Sequence, residues 1–391
     1  MKSNYKRLGD YIEFFDSRAV NHDSNLNLES IRGISSISKS FIKTKANLVG
    51  VVSDNYKVVE KDSFAYNPNT ARMGDKIPIA LNQTNNPVLV SSIYPTFKIL
   101  KNNELLPEFL MMWFKRPEFD RYARFMSHGS AREVFDIDEM NGVMLPIPPI
   151  AKQREIVQEY NTIQNRIALN QQLIQKLEET AQAIYKQWFV EGIDLENLPE
   201  GWRKSKIGDE VETLGGGTPS TEIEEYWIGG NISWYSPTDI TNNNSVFIFQ
   251  SANKITKLGL NKSSAKLFPA NCLMMTSRAT VGKLAINTEE ATTNQGFITL
   301  IPTSELNVFY LYCWINTQIE EIINLASGST FLEISKSDFR NLDIVIPDDK
   351  IAIKFKKSVE PIFDLIKTKT KENQKLTELK ELLLSKMASV Q

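Results

Sequence analysis

Apolar residues change their spacing more than once along this chain of 391 residues. Up to about residue 149 they come in short runs such as Val49-Gly50-Val51-Val52, set between Gly, Pro and Asn clusters, which reads as strands and turns. After Pro146-Ile147-Pro148-Pro149 the period lengthens. From Ile150 to Trp188 there is no Gly or Pro. Ile156, Tyr160, Ile163, Ile167, Asn170, Ile174, Leu177, Ala181, Ile184 and Trp188 recur there at alternating steps of four and three. That is the heptad seam of a long helix, with one polar member. Strand-like runs then resume, Phe247-Ile248-Phe249 among them, as far as Ile346-Pro347.

A second seam follows: Phe355, Val359, Ile362, Ile366, Lys369, Asn373, Leu376, Lys380, Leu383 and Met387. It is more polar at its middle, with Leu365 and Leu379 as apolar alternatives. The two stretches are copies. Leu8-Gly9-Asp10 and Ile207-Gly208-Asp209 stand 199 residues apart, as do Gly129-Ser130 and Gly328-Ser329, Ile147-Pro148 and Ile346-Pro347, and Gln175-Lys176-Leu177 and Gln374-Lys375-Leu376. Four anchors at one offset make an internal duplication. Each helix would span roughly 55–60 Å at about 1.5 Å per residue. A helix packing on its own domain, or a self-dimerising coil, would also satisfy a single seam. Two seams in one chain favour an intramolecular antiparallel pair, with a globular unit at each end and a pseudo-twofold between them. Asn170 and Asn373 are candidates for fixing its register.

Composition narrows the class. The hydrophobic share of 41% and charged share of 24% belong to a globular protein with sizeable cores. No window approaches ~18 consecutive apolar residues, so no spanning helix is expected. The first residues lack the pattern of a secretory signal. Cys272 and Cys313 make no disulfide framework, which fits a cytoplasmic protein. A net charge of −2 is low for a DNA binder, which would have to concentrate its cations locally or borrow them from partners.

The most diagnostic run is Gly216-Gly217-Thr218-Pro219-Ser220, then Tyr226-Trp227, Gly229-Gly230, Ile232-Ser233-Trp234 and Thr238-Asp239-Ile240. Thr276-Ser277-Arg278-Ala279-Thr280-Val281-Gly282-Lys283 and Thr293-Asn294-Gln295-Gly296-Phe297 come later. The first half carries Phe64-Ala65-Tyr66-Asn67-Pro68, Gly74, Ile77-Pro78-Ile79, Val90-Ser91, Tyr94 and Phe97-Lys98-Ile99, and ends on Gln153-Arg154-Glu155-Ile156. In this order, and twice over, the strings resemble the specificity subunits of Type I restriction-modification systems. The second copy departs at Lys350-Ile351-Ala352-Ile353.

The resemblance implies an α+β fold: two globular target recognition domains of mixed strands and short helices, separated by two long antiparallel coiled-coil helices. Residues 1–149 and 191–347 would be the recognition domains, and 150–190 and 348–391 the spacer helices. The coiled-coil seam is expected to rest on Ile156, Ile163, Ile167, Ile174, Leu177 and Ile184 against Ile362, Ile366, Leu376 and Leu383. Each domain would read one half of a bipartite, asymmetric target in double-stranded DNA. Two methyltransferase subunits would dock along the helices and bring S-adenosylmethionine, this chain binding no cofactor itself. Motor-nuclease subunits would join for restriction, and no membrane is involved.

Candidate DNA contacts follow from chemistry and position. Asn67, Asn69, Arg72 and Lys76 form a polar loop, and Asn pairs with adenine as Arg pairs with guanine; Asn-Pro-Asn is also an ordinary turn. Arg278 and Lys283 sit in what reads as a strand-turn-strand, able to pair with guanine or clamp a phosphate, or to be a solvated tip. Ser130 and Arg132, near His128 and with Ser327 and Ser329 as counterparts, are placed for phosphate contact. Thr218, Ser220 and Thr238 complete the set. Gly215-Gly216-Gly217 reads as a tight turn between strands rather than a phosphate cradle. Trp227 and Trp234 read as core.

A DNA adenine methyltransferase would need an Asp/Asn-Pro-Pro-aromatic motif, which the chain lacks. With His22 and His128 as its histidines it carries no zinc or hydrolytic pattern. The expectation is a non-catalytic binder without metal. The alternatives are a stand-alone methyltransferase-nuclease with similar domains, which the missing motif disfavours, and a coiled-coil assembly protein.

Overall fold

The computed structural model describes residues 5–22, 26–44, 47–69, 76–127, 133–243, 245–328 and 332–389. Two compact units emerge, one of Met1–Arg166 with Leu376–Gln391 and one of Ile167–Lys375. Both share one strand plan. In the first, Ile12–Phe15, Thr96–Ile99, Ser63–Tyr66 and Ile79–Leu81 form an antiparallel sheet in that order. In the second, Glu212–Gly215, Phe297–Ile301, Leu273–Thr276 and Leu284–Asn287 repeat the order, and Phe247–Ile248 adds a parallel strand. A short ladder closes each copy before its long helix: Tyr5–Arg7 on Met144–Pro146, and Arg203–Lys206 on Asp343–Ile346. The sequence repeat is a repeat of topology.

The copies diverge where proline intervenes. In the first, Pro107–Phe114 and Pro117–Met126 are separate helices, each with Pro in its first turn, where the missing N–H costs nothing. The second copy has no proline there and runs unbroken over Val308–Leu325. The first core stacks Phe64 on Phe97 at 4.8 Å, with Phe114 edge-on to Phe64 at 5.9 Å. The second gathers Tyr185, Phe189, Tyr310 and Phe355, with Phe189 5.0 Å from Phe355. Such pairs add about 0.5–1.5 kcal/mol each beyond area burial. Val49-Gly50-Val51-Val52, read as a strand, is not one: Val49 is 88% exposed and pairs with no neighbour strand, so its apolar run fills no core.

The long helices are Ile150–Phe189 and Asp349–Lys386, 40 and 38 residues. The first starts directly after Pro149, whose carbonyl accepts from Lys152 N–H at 2.8 Å and Gln153 N–H at 3.1 Å. Within the second unit they run antiparallel. Asn170 Nδ2 donates to Asn373 Oδ1 at 2.9 Å, and Asn373 Nδ2 reaches the Ile167 carbonyl at 3.4 Å. Within the first unit Lys380 Nζ donates to Gln164 Oε1 at 3.2 Å, and Ile156 and Tyr160 share a core with Leu384 and Met387.

Ile156, Ile163, Ile167, Ile174 and Ile366 are buried, but Leu177, Ile184, Ile362, Leu376 and Leu383 are only half-buried. Tyr185, Phe189, Phe363, Thr370 and Leu384 occupy the buried positions one residue on. A 3.6-residue helix drifts about 20° per heptad from a strict 3.5 repeat, so over several heptads the buried face moves by one residue. Leu365 and Leu379, offered as alternatives, stay exposed at 39% and 46%. Among the described residues no helix is long and apolar enough to cross a membrane.

Candidate nucleic-acid interface

The two loops singled out in the sequence occupy one place in the strand plan. Residues 67–78 join Ser63–Tyr66 to Ile79–Leu81, and residues 277–283 join Leu273–Thr276 to Leu284–Asn287. Each loop is met by the same downstream segment. In the first unit Phe135 N–H donates to the Pro68 carbonyl at 2.9 Å, and Asn69 bridges Val134. In the second, Ile334 N–H donates to the Ser277 carbonyl at 3.0 Å and Ala279 N–H to the Leu332 carbonyl at 2.9 Å, and Arg278 bridges Glu333. Hairpin and pre-helix segment, separate candidates in the sequence, are neighbours. Arg72, Ser130 and Arg132 lie outside the described residues.

Side chains within these loops divide into structural and free. Asn67 is buried, and its Oδ1 accepts the Asn69 N–H at 3.2 Å, a turn that uses up the side chain. Asn69 is half-buried and Lys76 exposed. Behind this loop Lys39 donates to Asp120 Oδ1 and to the Phe114 carbonyl, both at 2.6 Å, and the same Oδ1 takes the Ile77 N–H at 3.1 Å. Burial draws the Lys39 ammonium below its usual range while the Asp120 carboxylate opposes this. The pair pins the returning arm of the loop at Ile77.

In the second unit Arg278 Nε and Nη2 both donate to Glu333 Oε2, at 3.0 and 2.8 Å. Thr276 Oγ1 accepts the Lys283 N–H at 2.9 Å, and Ala279 and Gly282 turn the chain at φ 63° and 87°. Lys283 keeps an exposed side chain. The hairpin is therefore stiff, with one cation latched and one open to a phosphate.

The glycine run works by close approach, not as the tight turn expected. Gly215 ends a strand, and a Cβ on Gly216 would fall 2.0 Å from the Asn294 carbonyl oxygen and one on Gly217 2.2 Å from Ser264 Oγ. Trp234 Nε1 donates to the Gly217 carbonyl at 2.9 Å and Trp227 Nε1 to the Ser220 carbonyl at 3.0 Å, the two indoles packing edge to face at 5.2 Å. Thr218 Oγ1 donates to Gln295 Oε1 at 2.7 Å. This string, Trp227, Trp234 and Gln295 thus form one scaffold. Ser220 and Thr238 remain exposed, Thr238 on the short helix Pro237–Thr241.

Sequence reasoning missed exposed amides elsewhere in each unit: Gln83 and Asn86 in the first, Asn242, Gln250 and Asn253 in the second. Their signal was local amide density, as in Asn82-Gln83-Thr84-Asn85-Asn86. Among the described residues no cluster of three His, Cys, Asp or Glu is placed to hold a metal ion. Both cysteines are buried, and burial pushes the Cys272 thiol up to about 12, so it is a poor nucleophile.

The family of the Type I restriction modification DNA specificity domain matches this chain twice, over residues 8–179 and 199–381. The MjaIX specificity subunit of Methanocaldococcus jannaschii is 35% identical over 188 residues, 48% of this chain. That match spans 43% of the relative's own length. The HindI specificity subunit of Haemophilus influenzae is 25% identical over 357 residues, 73% of this chain and 77% of the relative. In fold, the chain is similar to the crystal structure of a Type I restriction-modification system S subunit from M. genitalium. The TM-score is 0.59 at 14% identity, with 98% of this chain and 95% of the other covered.

Proposed function

This chain belongs to the Type I restriction modification DNA specificity domain family, and from that premise we propose that it selects the DNA target of a Type I complex. Each unit reads one half of a bipartite, asymmetric site. The observation that carries this is the pairing of one strand plan with unlike loops. A single scaffold carries Asn69 and Lys76 in one copy and Arg278 and Lys283 in the other, so the two units present different surfaces to DNA.

Recognition is this chain's task, and chemistry belongs to partners. Two methyltransferase subunits dock on the long helices, holding S-adenosylmethionine and extruding the base to be methylated. Motor-nuclease subunits join for restriction in the cytoplasm. The partners also supply much of the positive surface that a chain of net charge −2 lacks. The long helices set the count of unread base pairs between half-sites.

Exchange of residues 1–149 for another recognition unit tests the reading. Methylation mapping in cells carrying the hybrid should show one half-site changed and the other kept. A hybrid that alters both halves contradicts it, as does a wild-type map without an interrupted motif.

A further inference from the structure

Strings shared across a family carry what its members have in common, which is fold and backbone contact. A choice of target has to come from side chains between the strings. Thr218, Arg278, Lys283 and Gln295 all lie inside them. The amides of two polar clefts lie outside, although Thr238 and Asp239 of the second unit's cleft belong to one string.

In the second unit a cleft of about 470 Å³ is lined by Thr238, Asn242, Gln250, Asn253 and Gln374. Its frame is fully bonded. Asp239 Oδ2 accepts the Ser236 N–H at 2.7 Å and its O–H at 2.6 Å, while Oδ1 takes the Ala252 N–H at 2.8 Å. Asn243 Nδ2 donates to the Ser245 and Phe247 carbonyls. The amides of Asn242, Gln250, Asn253 and Gln374 have no partner among the described residues, and no Lys or Arg lines the cleft.

The first unit repeats the device with other residues. A cleft of about 780 Å³ lies between Asn27–Arg32 and residues 82–88. Buried Asn82 donates to the Val59 and Asn86 carbonyls, both at 3.0 Å, and accepts the Thr84 N–H at 3.0 Å and its O–H at 2.8 Å. That leaves Gln83 and Asn86 displayed and uncommitted on a stiff loop. The Arg32 Nη1 is spent on the Glu29 and Ile31 carbonyls.

We propose that these two amide-lined clefts are the base-reading sites, one per unit, each pairing with the edge of at least one A·T pair. This rests on the function proposed above. A carboxamide offers one donor and one acceptor, matching adenine N7 and its N6 amino group in the major groove. Phosphate is the poorer ligand here, because the displayed amides are neutral, the second lining holds Asp239 and no cation, and Arg32 in the first shares that lining with Glu29.

The test uses the complete complex with its methyltransferase subunits. Asn242→Ala/Gln250→Ala/Asn253→Ala should relax preference at positions of one half-site by roughly 5- to 150-fold, and Gln83→Ala/Asn86→Ala at the other. The salt slope of DNA binding should not move in either. Gln250→Glu and Gln83→Glu keep the side-chain shape but exchange a donor for an acceptor, so preference should turn toward cytosine. These two decide the matter where a multiple variant does not assemble. Unchanged half-sites in all variants overturn the assignment, as does uniform weakening with a shallower salt slope. A wild-type map lacking an interrupted motif would instead strike the functional reading itself.

Discussion

The two long helices begin at equivalent places and are anchored by different chemistry. At the first, Gln153 is completely buried: its Oε1 accepts the Leu106 N–H at 2.9 Å, and its Nε2 donates to the Glu104 and Pro148 carbonyls at 2.6 and 2.8 Å. At the second the same position is buried Ala352, and the start is held by Asp348, whose Oδ1 caps the N–H groups of Lys350 and Ile351 at 2.8 and 3.2 Å. Both helices reach their unit's core through apolar side chains, but the first adds a buried polar tie at its start and the second only a local cap at the surface. Duplicated architecture does not imply duplicated energetics, because a buried polar side chain cannot be replaced by water and a surface cap can.

The largest break in that comparison is Gln153→Ala. It leaves the buried Pro148 carbonyl without this partner and opens the part-buried Leu106 N–H and Glu104 carbonyl to solvent, so at about 1–3 kcal/mol for the buried group and less for the other two the loss should be about 3 kcal/mol. Urea titration of the purified chain measures it. A loss under about 1 kcal/mol would mean that water fills the site and that the two starts are alike after all.

The next contrast lies along the helices themselves. Glu178 faces the second unit's core, and burial pushes its carboxyl up to about 7, the Val246 N–H acting in the opposite sense. The residue 199 positions on is Thr377, which has no charge to titrate. Between pH 4.5 and about 7 the folded chain keeps the Glu178 proton that the unfolded chain has released, so stability falls as pH rises through that window and levels off above it. Glu178→Gln should flatten the slope and add about 2 kcal/mol at pH 8, once residual solvent screening is allowed for. Thermal melts from pH 4 to 8 decide it, and an unaltered slope would place the titration elsewhere.

How much of this could be read from residues alone depended on range. The heptad count located both helices and picked out Asn170 and Asn373 as polar seam members, because a helical period is a property of neighbours along the chain; that the two amides bond each other is a tertiary fact. It missed the one-residue drift to Phe363 and Leu384, which follows from accumulated rotation over many turns. The strand plan was legible as a repeat, yet Val49–Val52 imitated a strand that no partner receives. The hairpins of Asn69 and Arg278 were found as polar loops, but their shared junction with residues 133–135 and 332–334 is a tertiary fact. So are the amide clefts, which are assembled from loops distant in the chain.

A smaller effect is expected from Asp348→Ala. Capping by a carboxylate is worth about 1 kcal/mol, and solvent can reach the freed N–H groups of Lys350 and Ile351. The variant should therefore lose about a third of what Gln153→Ala loses, as read from the same urea titrations. Equal losses would remove the distinction between core and surface anchoring.

The smallest expected effect separates the two hairpins. Arg278 and Glu333 pair at 2.8 Å with side chains 53% and 40% exposed, whereas the first unit sets Asn69 opposite Val134 with no charge pair. Such an exposed pair gains little Coulomb energy in high dielectric and costs side-chain freedom, so a double-mutant cycle of Arg278→Ala and Glu333→Ala should give a coupling of about 0.5 kcal/mol. The backbone ladder at Ser277, Ala279 and Ile334 survives both substitutions, so the hairpin keeps its path. DNA binding responds in the opposite sense. Glu333→Ala frees an arginine beside exposed Lys283, and affinity at low salt should rise about two- to fivefold with a steeper salt slope, since one more cation becomes available to phosphate. A coupling above about 2 kcal/mol, or affinity that falls with Glu333→Ala, would make the pair a structural strut and leave Lys283 as the hairpin's contact.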